Sequence, residues 1–297
     1  MVRDKSISSM LMDVIIHIIM IFVLVVTIYP VLHVLASSLS GRIANEAGLV
    51  SFYPVDFTVE AYVMIWQAGT VPNAFVNSVQ YTAVGVLIQM LVTTSFAYAL
   101  SRKGVPLRGF LTFFAIFTMY FSGGMIPTFM LVRNLNLLGT MWALVLPPAM
   151  GITNMIIMRT FFQNLPAELE ESARLDGAND LTIFFRIILP LSKAVLYTIG
   201  LFYAVGHWNS WFPAMIYLRD PDMFPLQLIL RQIVVLAGDI RDAAMTGELH
   251  AVGFLGQINV IAIRYAVVCI AIVPMLIIYP FVQRHFIKGV MIGSLKG

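Results

Sequence analysis

Phe162-Gln-Asn-Leu-Pro166-Ala-Glu168-Leu-Glu170-Glu171-Ser172-Ala173-Arg174-Leu-Asp176-Gly177-Ala-Asn179-Asp180-Leu-Thr-Ile-Phe184-Phe185-Arg186-Ile187-Ile188-Leu189-Pro190 is the most charged internal stretch of the chain. Five of the 15 acids, Glu168, Glu170, Glu171, Asp176 and Asp180, fall within 13 of its residues. Pro166 suits the first turn of a helix, and the three glutamates follow where the helix dipole favours negative charge. Glu170 and Arg174 have the spacing of an i,i+4 ion pair. Gly177 accepts the left-handed conformation that ends a helix. Asn179 or Asp180 caps a second helix, 181–188, which stops before Pro190. Leu181, Phe184, Phe185 and Ile188 give that helix an apolar stripe. The segment is therefore predicted to be a helix-turn-helix at a membrane surface. Taken alone, it is an amphipathic interfacial loop with a solvated charge run.

The sequence around this loop is nearly free of charge. The 297 residues are 60% hydrophobic and 11% charged, with a mean hydropathy of +0.89. Soluble domains carry about 25% charged residues. That gap excludes an ordinary soluble enzyme, and the apolar content excludes disorder. One cysteine, Cys269, excludes a disulfide scaffold. Too little polar surface remains for a nucleic-acid binder. Six runs lack Asp, Glu, Lys and Arg over at least 18 residues: 14–41, 61–101, 109–132, 134–158, 194–218 and 265–283. A bilayer-spanning helix needs about 20 apolar residues. The predicted spans are 12–37, 77–101, 109–132, 139–161, 190–216 and 260–284, because 61–76 is too polar to join the second. Solid apolar runs disfavour a β-barrel. The fold expected is all-α, a polytopic integral membrane protein with six transmembrane helices. Residues 1–11 form a short N-terminus, 12–284 the membrane domain and 285–297 a tail. The first segment is read as a retained helix, since it is too long for a signal peptide and no small-residue cleavage site precedes a polar chain.

Basic residues set the orientation. With the N-terminus in the cytoplasm, 12 of the 18 bases lie inside and six outside. Both termini and the 162–189 loop are then cytoplasmic, and the loops 38–76 and 217–259 are outside. The net charge of +3 follows from this bias and implies no polyanion partner.

The catalytic inventory is empty. The sequence has no GxxxxGK[ST] phosphate loop, HExxH, GxSxG or CxxC, and its five histidines lack metal-ligand spacing. No catalytic residue, metal or cofactor is expected on this chain. Polar and aromatic residues within spans face a bundle interior or cavity. That reasoning selects Tyr120 and Gly123 in the third span, Asn154 in the fourth, and His207, Trp208, Asn209 and Trp211 in the fifth as pathway residues. An aromatic belt accounts for the tryptophans equally well. Gly123-Gly124-Met-Ile-Pro127 predicts a kink. Residues 223–237 are apolar enough for a helix at the outer face. The outer loop adds Asp239, Arg241, Asp242 and Glu248 as contacts for an outside partner. The rival function, an ion-coupled secondary transporter, is disfavoured because no acid sits centrally in a span after Asp13.

The order Glu171-Ser172-Ala173, Asp176-Gly177, Ile187-x-Leu189-Pro190 resembles the EAA loop of ABC importer permeases, with Ser172 in place of an alanine. Asn77-Ser78, Ala97-Tyr98-Ala-Leu-Ser-Arg102, Leu135-Asn-Leu-Leu-Gly139 through Pro147, Pro225-Leu226-Gln227 and the Lys288-Gly to Lys296-Gly297 tail are similar to the carbohydrate branch, related to the maltose-importer inner subunits. The tail looks most like permeases for alginate or aldouronate oligosaccharides. The resemblance implies an ABC importer permease fold and a non-catalytic subunit in a bacterial inner membrane. It implies a second permease as heterodimer partner, two ATP-binding subunits carrying ATP and Mg, an extracytoplasmic solute-binding protein and an oligosaccharide substrate. It makes 166–177 a coupling helix, and Glu170, Glu171, Ser172, Ala173, Asp176, Gly177, Ile187, Leu189 and Pro190 the coupling residues.

Overall fold

The computed structural model describes residues 7–235 and 259–294, which are helical with connecting turns. The helices are α1 (Ile7–Ser38), α2 (Arg42–Glu46), α3 (Glu60–Ala68), α4 (Thr70–Ser101), α5 (Arg108–Tyr120), α6 (Met125–Asn134), α7 (Trp142–Val145) and α8 (Ile152–Gln163). They continue with α9 (Glu168–Leu175), α10 (Asp180–Leu191), α11 (Lys193–Trp208), α12 (Phe212–Tyr217), α13 (Leu226–Val235) and α14 (Val260–Ser294). Among the described residues, three helices are long and apolar enough to cross a membrane: α1, α4 and α14. Two bent pairs, α5 with α6 and α10 with α11, raise the number to five if each is one span.

The chain forms two compact units. The first comprises residues 1–71 and 230–272. In it α1 presents large apolar side chains outward along its length, Phe22 and Met20 among them, as a helix solvated by lipid does. Its end is pinned by polar contacts. Ser40 donates to the Ala36 carbonyl at 2.7 Å and accepts from the Val55 N–H at 3.0 Å. Asn259 donates to the Ser40 carbonyl at 3.0 Å. The same amide caps α14 by accepting from the Ala262 N–H, also at 3.0 Å. Cys269 lies near Ser38, in keeping with a packing residue.

The second unit comprises residues 72–229 and 273–297. Its core joins Ala97 and Leu100 of α4, Met155, Met158 and Phe162 of α8, Ile183, Phe184 and Ile188 of α10, and Ile199 and Tyr203 of α11. The charged loop is thus seated on the membrane helices by α10.

Several boundaries differ from the sequence reading, each for a local reason. Helix α4 starts at Thr70, not 77, and runs 32 residues. Its polar first turns persist because their amides find partners: Asn73 and Asn77 donate to the Asp222 carbonyl at 2.8 and 2.7 Å. Ser78 and Tyr81 hold the Leu226 N–H and the Met223 carbonyl, so the Asn77-Ser78 and Pro225-Leu226 motifs meet. The expected kink in the third span is a break at 121–124 that bends α6 by 115° from α5, with Gly124 at φ +81. Segment 139–161 is interrupted at Pro147-Pro148, which remove two backbone donors. Its α8 has 12 residues, about 18 Å of helix, against a hydrocarbon core of about 30 Å. The second loop helix does not stop before Pro190. A π turn at Phe184–Ile188 precedes the proline, and the helix continues to Leu191. The described part of the outer-face helix is Leu226–Val235, inside the expected 223–237.

Candidate functional site

The charged loop is built by its caps. Helix α9 carries Glu168, Glu170 and Glu171 in its first turn and Arg174 in its last, which matches the dipole at both ends. Gly177, at φ +83, closes it. The Gly177 N–H donates to the Arg174 carbonyl at 3.0 Å and the Ala178 N–H to the Ala173 carbonyl at 2.9 Å. These are the two bonds of a Schellman turn, which only a residue tolerant of positive φ completes without strain. Asn179, rather than Asp180, then caps α10, accepting from the Thr182 N–H at 2.8 Å.

The ion pairs differ from the expected one. Glu170 does not bond Arg174. It is buried, at 8% exposure, and pairs with Arg102 just beyond the end of α4. Arg174 pairs with Asp180 at 2.5 Å, across the turn. Position 170 lies on the inward side of α9 with Ala173, so its carboxylate needs a buried cation. Arg102 also stands 4.7 Å above the Tyr98 ring. Arg108 and Arg159 both donate to the Leu100 carbonyl, at 2.9 and 3.1 Å. Three guanidinium groups thus gather where the last carbonyls of α4 lack helical partners. Glu170 ties that end to α9. The sequence reading included Arg102 in a motif but missed its pairing with Glu170, which is 68 positions away, beyond any helical spacing.

The outward side of α9 carries Glu168, Glu171, Ser172 and Leu175. Leu175 is 90% exposed. On α10 the apolar stripe divides. Phe184 and Ile188 are buried together with Ile183, whereas Leu181 and Phe185 are exposed, because the inward face of α10 falls on 183, 184, 187 and 188. Ile187 and Leu189 are partly buried against the core, and Pro190, Asp176 and Gly177 are exposed.

The pathway candidates are dispersed. His207 lines a cavity of about 470 Å³, together with Gln89, Tyr203, Ser210 and Tyr217. Asn154 lies beside Gly151, whose N–H donates to the Tyr203 hydroxyl at 3.1 Å. Trp208 is buried against Phe75, Trp211 packs on Phe212, and Asn209 is exposed beyond the end of α11. Tyr120 and Gly123 are exposed at the α5–α6 break, where Ser122 and Gly124 line a second cavity of about 280 Å³. Gln89 was missed. A buried amide in an otherwise apolar run is the signal that would have found it. Asp239, Arg241, Asp242 and Glu248 lie outside the described residues.

Residues 90–292 match the family model described as binding-protein-dependent transport system inner membrane component. The chain is 40% identical to the polygalacturonan/rhamnogalacturonan transport system permease protein YtcP of Bacillus subtilis (strain 168), over 98% of this chain and 100% of that one. It is 28% identical to the arabinooligosaccharides transport system permease protein AraQ of Halalkalibacterium halodurans, over 93% and 94%. Among solved structures it is similar to a chain of a bacterial ABC transporter involved in the import of the acidic polysaccharide alginate. The TM-score is 0.84 and the identity 31%, covering 95% of this chain and 99% of that chain.

Proposed function

Because the chain belongs to the family of binding-protein-dependent transport system inner membrane components, we propose that it is one of two permease subunits of an ATP-driven importer for oligosaccharides. The observation that carries this reading is the pairing of the family match over 90–292 with an α9 whose inward side is fixed and whose outward side is free to dock. Glu168, Glu171, Ser172 and Leu175 form the face offered to a cytoplasmic ATPase. Ser172 permits close approach there, whereas the small side chain of Ala173 lets α9 pack closely on the core. Glu171 supplies a carboxylate for a basic or hydroxyl group on the partner. ATP and Mg reside on that partner, and this chain contributes no catalytic group.

The membrane domain crosses six times with both termini in the cytoplasm, as the distribution of the 18 bases favours. The loop 217–259, with Asp239, Arg241, Asp242 and Glu248, faces an extracytoplasmic solute-binding protein. The relatives named for rhamnogalacturonan and alginate transport favour a substrate that carries uronate units. Closure of the ATPase pair moves α9, and α9 moves the helices on which it is seated. Such transmission needs an element with two states that both ends bias.

The test is co-purification and uptake. The chain should bring down an ATPase with a phosphate loop, and Glu171→Lys should leave insertion intact while separating ATP hydrolysis from uptake. Unchanged ATP-driven uptake in Glu171→Lys would sink the coupling assignment.

A further inference from the structure

The cavity beside His207 has properties that the coupling role does not use. It lies within the second unit, between α4, the α7–α8 connection and α11, and its 470 Å³ falls within the range of about 300–1,000 Å³ for small-molecule sites. Pro147, Pro148, Phe202 and Tyr217 give it flat apolar walls. Its polar groups are an amide, an imidazole and hydroxyls: Gln89, His207, Ser210 and Tyr203. Among the described residues that line it, none is Asp, Glu, Lys or Arg.

Gln89 is the informative residue. Its side chain is buried, at 6% exposure, and donates to the Pro148 carbonyl at 2.5 Å. Its amide oxygen is buried with no hydrogen-bond partner among the described residues. An orphaned buried acceptor is costly, so natural sequences keep one where something else satisfies it. The surrounding construction is specific. Tyr203 is held in place by Thr93 at 2.7 Å and by the Gly151 N–H. Gly85 is the residue that makes room for the His207 ring, since a Cβ there would overlap the imidazole.

We infer that this cavity is a saccharide subsite carried by this chain, which takes one neutral pyranose unit of the transported oligosaccharide. A pyranose offers C–H faces to aromatic and proline walls and hydroxyls to amide, imidazole and hydroxyl groups, which is the inventory present. A uronate would bring a carboxylate into a site without a cation, and burying an unpaired charge is heavily disfavoured. With no cation among the described residues that line it, any acidic unit of the substrate sits elsewhere on the pathway. The inference rests on the oligosaccharide reading above and refines it.

The experiment uses the complete importer in lipid nanodiscs. Cys269→Ala removes the chain's one cysteine, and Ser210→Cys places a thiol on the cavity wall. The rate of maleimide labelling is then measured with methyl α-galactopyranoside, methyl α-rhamnopyranoside or the methyl α-glycoside of galacturonate. The galactoside and the galacturonate differ essentially at C6, neutral in one and a carboxylate in the other. Slower labelling with a neutral glycoside, little change with galacturonate, and about tenfold weaker protection in Gln89→Leu are expected. The same protection in Gln89→Leu, better protection by galacturonate, or none by any of the three overturns the subsite. Uptake by the same importer separates the two readings. Saccharide uptake without protection overturns the subsite alone, and an importer that moves no saccharide overturns the oligosaccharide reading.

Discussion

Glu170 of the charged loop and Arg102 beyond the end of α4 form an ion pair that is nearly closed to solvent, their side chains 10% and 22% exposed. The pair fastens the loop to the longest helix of its unit at the point where two further arginines cap the Leu100 carbonyl. Removing one partner leaves the other charge poorly solvated, which costs about 3 kcal/mol when such pairs are buried. Glu170→Gln and Arg102→Gln should each lower the thermal stability of the purified complex and weaken coupling. The double variant should lose less than the sum of the two. Additive losses in a double-mutant cycle would mean that the two side chains do not act together.

Gly177 holds φ +83, and a Cβ there would meet nothing within 4 Å. The penalty for Gly177→Ala is therefore purely conformational, about 1–2 kcal/mol. Gly177→Asn should be milder because asparagine visits this region. Stability and ATPase stimulation should fall in the order Gly, Asn, Ala. A ranking with Asn below Ala would point to a contact rather than to backbone conformation.

Gly85 faces the His207 ring so closely that a methyl group cannot be added without moving the imidazole. Overpacking of this kind costs about 1–3 kcal/mol. Gly85→Ala should impair uptake, and His207→Ala should restore much of the stability lost. Failure of the second change to relieve the first would show that α4 itself, not the ring, resists the substitution.

Leu175, almost fully exposed on α9, contributes little to the stability of the isolated chain. On docking to an ATPase it would bury most of its side chain, worth about 1.5–3 kcal/mol. Leu175→Ser should leave the melting temperature unchanged and raise the dissociation constant for the ATPase roughly tenfold or more. An unchanged affinity measured by titration would remove Leu175 from the docking face.

The sequence foretold what local chemistry controls. Gly177 as the helix stop, a cap at Asn179 or Asp180 and a kink at Gly123-Gly124 each follow from the conformational preferences of a few adjacent residues, and each has its counterpart in the structure, the cap at Asn179. Three of the six long apolar runs likewise became the long helices α1, α4 and α14. What escaped depends on distant neighbours. Asn73 looked like a residue outside a span until the Asp222 carbonyl supplied it with a partner. Glu170 has a helical partner at the right spacing in Arg174, but burial on the inward side of α9 outweighed an exposed pair worth about 0.3–0.5 kcal/mol. Pro190 looked like a helix stop, yet the π turn before it reorganised the backbone bonds that proline would have broken. Gln89 and His207, 118 positions apart, became neighbours in one cavity only through packing.

The join between α10 and α11 turns through 83° at Ser192, which is fully buried. Two rods set nearly at right angles about a buried corner behave as a bell-crank. The short arm, about 18 Å from Asp180 to Leu191, runs back toward the charged turn. The long arm, about 24 Å from Lys193 to Trp208, carries Tyr203 and His207 near its far end. If the corner stays fixed, a thrust that tilts the short arm by 1 Å at its tip swings the far end of the long arm by about 1.3 Å, in a direction turned through a right angle. Leverage of this kind makes the rigidity of the corner as important to the machine as the affinity at either end.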